Sequence, residues 1–312
     1  MSRSLPHRLP VLLENLEQRR LLSASFKFST GEPDGKIATI TEPANAQNND
    51  VEYESADDFI LSAPTTLRQA TFTGLLTGGA TVDDVSNVVV EIYRVFPKDS
   101  DVGRTSGPPT FSTPKVPTRV NSPSDVAFET RDSASGELNY NVDELAATFT
   151  AQASVSSQAA IAVHSGGNGP VTGTEVTFQV AFGNDPINLP ADRYFFIPQV
   201  GLSDSAPAGA HFLWLSAPKP ATAPGAPPDL QSWMRDDPPL APDWLRIGTD
   251  IIDGATPPTF NAAFSLHGTV RPESARDHGH GPVFPPTTLA PPPAAASSGN
   301  ALLRILDDLD GA

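Results

Sequence analysis

Short apolar runs separated by turn residues dominate the chain from about Lys36 onward. KIATIT, ADDFILS, ATFTGLL, NVVVEIYRVF, ATFTAQASV, EVTFQVAF, RYFFIPQVGL, HFLWLSA and FNAAFSLHGTV are rich in Val, Ile, Thr and aromatic residues, the side chains that fit a pleated, half-buried surface. Several alternate with period two: in TEVTFQVAF, Val176, Phe178, Val180 and Phe182 share one face, and Thr177 and Gln179 the other. NVVVEIYRVF is apolar on both faces, with Val88, Val90, Ile92 and Arg94 on one and Val89, Glu91, Tyr93 and Val95 on the other, which suits a central strand. Gly78-Gly79, Gly107-Pro108-Pro109, Gly166-Gly167-Asn168-Gly169-Pro170 and Asn184-Asp185-Pro186 punctuate the runs as turns or loops. A single internal stretch, NVDELAATFTA, reads as a helix or as a turn leading into a strand. Strand candidates so outnumber helix candidates that the expected fold is all-β, a two-sheet antiparallel β-sandwich of jelly-roll type, with short helices at the N and C termini.

The ends of the chain follow other patterns. Arg3 and Arg8 give a basic start, and Ser23-Ala24-Ser25 a run of small residues. Between them Glu14, Asn15, Glu17, Gln18, Arg19 and Arg20 interrupt the apolar core that a secretory signal needs. After Pro10 the stretch VLLENLEQRRLLSA reads as a short amphipathic helix, with Leu12, Leu13 and Leu16 clustered by helical spacing. Beyond Val270 a Pro-, Ala- and Ser-rich tract reads as an extended linker, and ALLRILDDLDGA closes with an apolar face of Leu302, Leu303, Ile305, Leu306 and Leu309. The expected organisation is an export-like segment over 1–35, the sandwich over 36–270, the linker over 271–300 and a short amphipathic helix over 301–312.

Composition narrows the function classes. The 33 prolines and 23 glycines argue against a helical bundle. A net charge of −16, with only 18% charged residues, argues against general binding to nucleic acid or to anionic membrane. The absence of cysteine excludes disulfides, thiolate zinc sites and cysteine nucleophiles. No run of residues is apolar and long enough for a transmembrane helix.

Two stretches carry a resemblance. LEQRRLLSA resembles the LEPR-xLL segment at the N termini of many bacterial cell-surface and secreted proteins: Leu16, Glu17, Arg19, Leu21 and Leu22 match, and Gln18 stands where that motif has Pro. The body, from ADDFILSAPTTLRQATFTGLLTGGA through NVVVEIYRVF, RYFFIPQV, FLWLSAPKP, LQSWMRDD, DWLRIGTDI and FNAAFSLHG, resembles a family of exported bacterial β-sandwich proteins of unknown function. Members of that family often end in a Pro-Glu-Pro sorting tag, which this sequence lacks. The resemblance implies an extracellular or cell-surface location and supplies no catalytic residues.

Candidate chemistry is sparse. Asp99 and Asp101, followed by Gly103, open a calcium-loop spacing, but Gly103 and Thr110 occupy the fifth and twelfth positions, where an EF-hand needs an oxygen ligand and a glutamate. Calcium is the one cofactor suggested. The acidic pairs Asp57-Asp58, Asp83-Asp84 and Asp236-Asp237 point to opposite faces if they lie in strands. Trp233 and Trp244, with Arg235 and Asp236 beside Trp233, have the residue types of a sugar-stacking site, whereas Trp214, in a strand apolar on both faces, reads as core. His278 and His280 sit in the linker, and His164 beside Ser165 only superficially suggests a nucleophile loop. Neither Gly-x-Ser-x-Gly nor His-Glu-x-x-His occurs. The expectation is an exported, non-enzymatic protein with a structural or adhesive role, whose partners are extracellular polysaccharide or surface proteins. A carbohydrate-binding module is the alternative, and a hydrolase on the same scaffold the third reading.

Overall fold

The computed structural model describes residues 24–100, 119–218, 229–237, 240, 243–254, 256 and 258–271. Nearly all regular structure in them is β. In chain order the strands begin with β1 (Ser25–Ser29), β2 (Ile37–Ile40), β3 (Tyr53–Leu61), β4 (Thr65–Leu76), β5 (Val85–Arg94) and β6 (Glu129–Asp132). They continue with β7 (Asn139–Ala151), β8 (Ala153–Val155), β9 (Val171–Ala181), β10 (Ile187–Leu189) and β11 (Asp192–Leu202). The last are β12 (Phe212–Ala217), β13 (Trp233–Asp236), β14 (Leu245–Arg246), β15 (Asn261–Ala262) and β16 (Phe264–Val270). A single π-helical turn, Ile247–Ile252, follows β14.

Ten strands form one sheet and six the other. In the larger sheet β4 is central, with β9 and β10 along one side and β16 and β12 along the other. β7 extends the sheet beyond β9 and β1 beyond β16, while β12 leads through β2 to β8. The smaller sheet runs β14-β13-β3-β11-β5-β6. One departure from the expected antiparallel plan is the β2–β8 pair, which is parallel. NVDELAATFTA is not helical: it lies within β7, where Thr and aromatic content and pairing with β9 decide the conformation. The body also starts earlier than Lys36, because Phe26 and Phe28 pack on the core from β1. The expected terminal helices and the linker lie outside the described residues.

One core joins the sheets. From the larger sheet come Phe72, Phe178, Val180, Phe212, Trp214 and Phe264; from the smaller come Phe59, Val88, Val90, Ile92, Tyr194 and Phe196. Phe196 stacks on Phe264 at 5.1 Å and meets Trp214 edge-on at 6.0 Å, the offset and edge geometries that the ring quadrupole favours. The period-two reading holds: Val176, Phe178 and Val180 face inward, and Gln179 is exposed. Gly74 is required where β4 meets β12, since a Cβ there would stand 2.4 Å from the Phe212 ring. At one corner the chain passes between sheets. Thr41 Oγ1 donates to Pro198 O in β11 at 2.6 Å, and Glu42 exchanges backbone hydrogen bonds with Tyr53 of β3.

Candidate functional site

The chemistry-bearing residues gather on the outer face of the smaller sheet, the side turned away from the shared core. Cross-strand register brings them there: Arg235 of β13 stands opposite Glu54 of β3, Phe195 and Ile197 of β11 opposite Tyr93 and Glu91 of β5, and Glu91 opposite Thr130 of β6. Directly opposed residues share a face, so two glutamates, a tyrosine and an arginine converge. Glu52, just before β3, joins them, with its Oε1 accepting a hydrogen bond from Gln199 Nε2 at 2.8 Å.

Glu52, Glu54 and Glu91 each offer an oxygen within 4.8 Å of the others. Arg235 donates to both oxygens of Glu54, Nη2 to Oε1 at 3.1 Å and Nε to Oε2, the two-pronged geometry that suits a buried ion pair. Tyr93 Oη accepts from Arg235 Nη2 at 2.8 Å and lies 2.9 Å from Glu54 Oε1 and 3.3 Å from Glu91 Oε2. Its single proton serves one carboxylate at a time. Glu54 is buried, whereas Glu52 and Glu91 are half-buried.

Three carboxylates against one guanidinium disfavour full ionisation. Burial, and then the charges of Glu54 and Glu52, push the Glu91 carboxyl up to about 8. Burial and the Glu54 charge raise Glu52 as well. Burial and Glu54 hold the Tyr93 phenol above its ordinary value. For Arg235 burial acts to lower the value, but Glu54 and Tyr93 outweigh it and keep the guanidinium charged. Glu91 therefore carries a proton at neutral pH. A carboxylic acid beside two carboxylates can give up that proton, and the same three oxygens could take a divalent cation in its place.

A second layer covers this face. Trp244 meets Tyr93 edge-on at 5.7 Å and its Nε1 donates to Ser124 O at 3.0 Å. Arg235 Nη1 reaches Asp125 O at 3.1 Å. Arg119 lies 4.1 Å over the Phe96 ring and pairs with Asp125, with Asp243 at 3.7 Å.

The residues singled out by sequence fall as follows. Trp233 and Trp244 are each 2% exposed, so neither ring turns a face to solvent. Trp233 opens strand β13, and its Nε1 has no hydrogen-bond partner among the described residues. Arg235 is buried in the ion pair, and Asp236 points to the opposite face, in register with Tyr53. Trp214 is core, with Nε1 donating to Ala263 O. Asp57 and Asp58 do face opposite ways: Asp57 accepts from Ala262 N and Ser232 Oγ, Asp58 from Leu230 N. The Asp99 carboxylate is held by the Arg94 guanidinium, through Nε at 2.6 Å and also Nη2. A calcium ion there would have to compete with that cation. His164 pairs with Asp253 at 2.7 Å on the surface. Asp101, His278 and His280 lie outside the described residues. Sequence reasoning missed Glu52, Glu54 and Gln199, although the alternation that set Glu91 and Tyr93 on one face of NVVVEIYRVF was half of the signal. The Glu-x-Glu spacing of 52 and 54 was the other half.

No protein-family model, curated protein or solved structure matches the chain.

Proposed function

We propose that this is an exported, non-enzymatic protein with a structural or adhesive role at the cell surface or in the surrounding matrix, its two sheets forming a sandwich of jelly-roll type. One observation carries the reading. The side chains with the richest chemistry, Arg235, Glu54, Tyr93, Trp244 and Arg119, are spent on fastening a second layer of chain over the smaller sheet. Residues that hold a fold together in this way favour a durable body over an open reaction cleft. The acidic, cysteine-free composition is compatible with life outside the cell.

Fractionation of cells expressing the full chain, with protease shaving of intact cells, tests the location. Recovery in the surface or medium fraction is expected, and lasting retention in the cytoplasm overturns the reading. A broad glycoside and ester turnover screen tests the rest: turnover that is lost in Glu91→Gln would make the protein an enzyme.

A further inference from the structure

The outer face of the larger sheet has a different character. Asn141 of β7, Gln179 of β9, Thr71 of β4, Ser265 of β16 and Ser29 of β1 are directly opposed from strand to strand, one row across five strands. Their sequence neighbours Val142, Phe178, Phe72, Phe264 and Phe28 pack on the core, so all five point outward. Asn141, Gln179 and Ser29 are exposed, and Thr71 and Ser265 half-buried. Every member of the row is an uncharged hydroxyl or amide.

Asp143 organises one end of the row. Asn141 Nδ2 donates to Asp143 Oδ2 at 3.1 Å, and Gln179 Nε2 donates to the same oxygen at 3.0 Å. An ionised carboxylate only accepts, so both amide nitrogens turn toward it and both amide oxygens are left oriented as acceptors. The hydroxyls of Thr71, Ser265 and Ser29 continue the row as groups that both donate and accept. Fixing the groups beforehand removes part of the ordering cost of binding.

We infer that this row binds a neutral, extended, β-linked polysaccharide laid across the strands. Strands repeat every ~4.8 Å, close to the length of one sugar residue in such a chain, so successive sugar hydroxyls meet successive strands. The five side chains of the row are uncharged and the carboxylate beside them, Asp143, is engaged by both amides, which suits a ligand without charge. Sheet twist turns each strand by roughly 20–25° relative to the last, which a single glycan chain can follow and a flat crystalline face cannot. The inference rests on the exported, adhesive reading, because it names the partner that adhesion would grip.

The test is affinity electrophoresis of the purified full chain in gels containing soluble mixed-linkage β-glucan, with alginate as polyanionic probe, plus pull-down on amorphous and crystalline cellulose. Retardation by β-glucan is expected, with amorphous cellulose preferred to crystalline. Gln179→Ala and Thr71→Ala should each weaken it, and the double change by at least about tenfold. Asp143→Ala should weaken it by freeing the amides, and Ser135→Ala, on an exposed turn, should leave it unchanged. No retardation by β-glucan, equal retardation of wild type and the Gln179 and Thr71 variants, or preference for alginate overturns the inference. Cell fractionation reads the location independently, so a cytoplasmic protein that still binds β-glucan would sink the export reading alone.

Discussion

Arg235 and Glu54 face each other across the β3–β13 pairing, and the guanidinium that neutralises Glu54 also lies 4.5 Å over the ring of Trp244. One side chain thus ties together the edge of the smaller sheet, a buried carboxylate and the layer that covers both. Removing it strands a charge in the interior, which is costlier than never having buried the pair.

Arg235→Met is therefore expected to destabilise the protein by about 3–5 kcal/mol, measured as a lower midpoint in urea unfolding. Adding Glu54→Gln to that variant should recover much of the loss. A double variant as unstable as the single would show that packing against Trp244, rather than charge, is the main contribution.

Glu91 makes stability fall as pH rises. Its carboxyl titrates at 4.5 when unfolded and at about 8 when folded, so between those values the native state holds the extra proton. Stability then declines across that window and levels off above it. Glu91→Gln removes this dependence. The stability of Glu91→Gln relative to wild type, from denaturant titrations, should climb from 4.5 to about 8.

His211 works in the same sense as Glu91, because its folded-state value is also raised. Its Nδ1 lies 3.2 Å from Glu42 Oε2, and this contact raises the imidazole above 6.5 against the lowering effect of burial. The stabilisation is fully present below 6.5 and is lost as pH rises through the raised value. Proton NMR should find His211 titrating above 6.5, and Glu42→Gln should bring it down. His211→Gln should destabilise in mild acid and have little effect in alkali.

Two packing changes separate volume from backbone clearance. Phe196→Ala empties the space between the sheets, where the ring touches Phe264, Trp214 and Phe72, and should cost about 3–5 kcal/mol. Gly248→Ala places a Cβ 1.9 Å from the backbone oxygen of Pro258, an atom that cannot rotate away. Thermal melts should show both variants well below wild type, while an alanine at exposed Ser135 melts normally.

The strands that form the core were legible because each signals itself locally. Period-two alternation gave the buried face of β9 and the two-sided burial of β5 without reference to any partner. β13 was not legible, because a strand of four residues carries too little pattern, and only its pairing with β3 makes WMRD a strand. β7 was legible in part: ATFTAQASV marks its second half as strand, whereas Glu and Ala content leaves NVDELAATFTA open between a helix and a turn leading into a strand, and pairing with β9 decides it. The carboxylate site was half visible. Glu91 and Tyr93 declared a common face, but their meeting with Glu54 and Arg235 depends on register between strands far apart in sequence.

The pairing of β1 with β16, Ser25 against Thr269 through Ser29 against Ser265, bears on how the body is assembled. β1 emerges first from the ribosome and its partner comes last of all the strands described, so the edge it completes cannot form until nearly the whole body exists. Contacts so distant along the chain slow folding, because the ends must be brought together before the pairing rewards it. A nascent body of this kind stays unfinished until nearly the last of its described strands has been made.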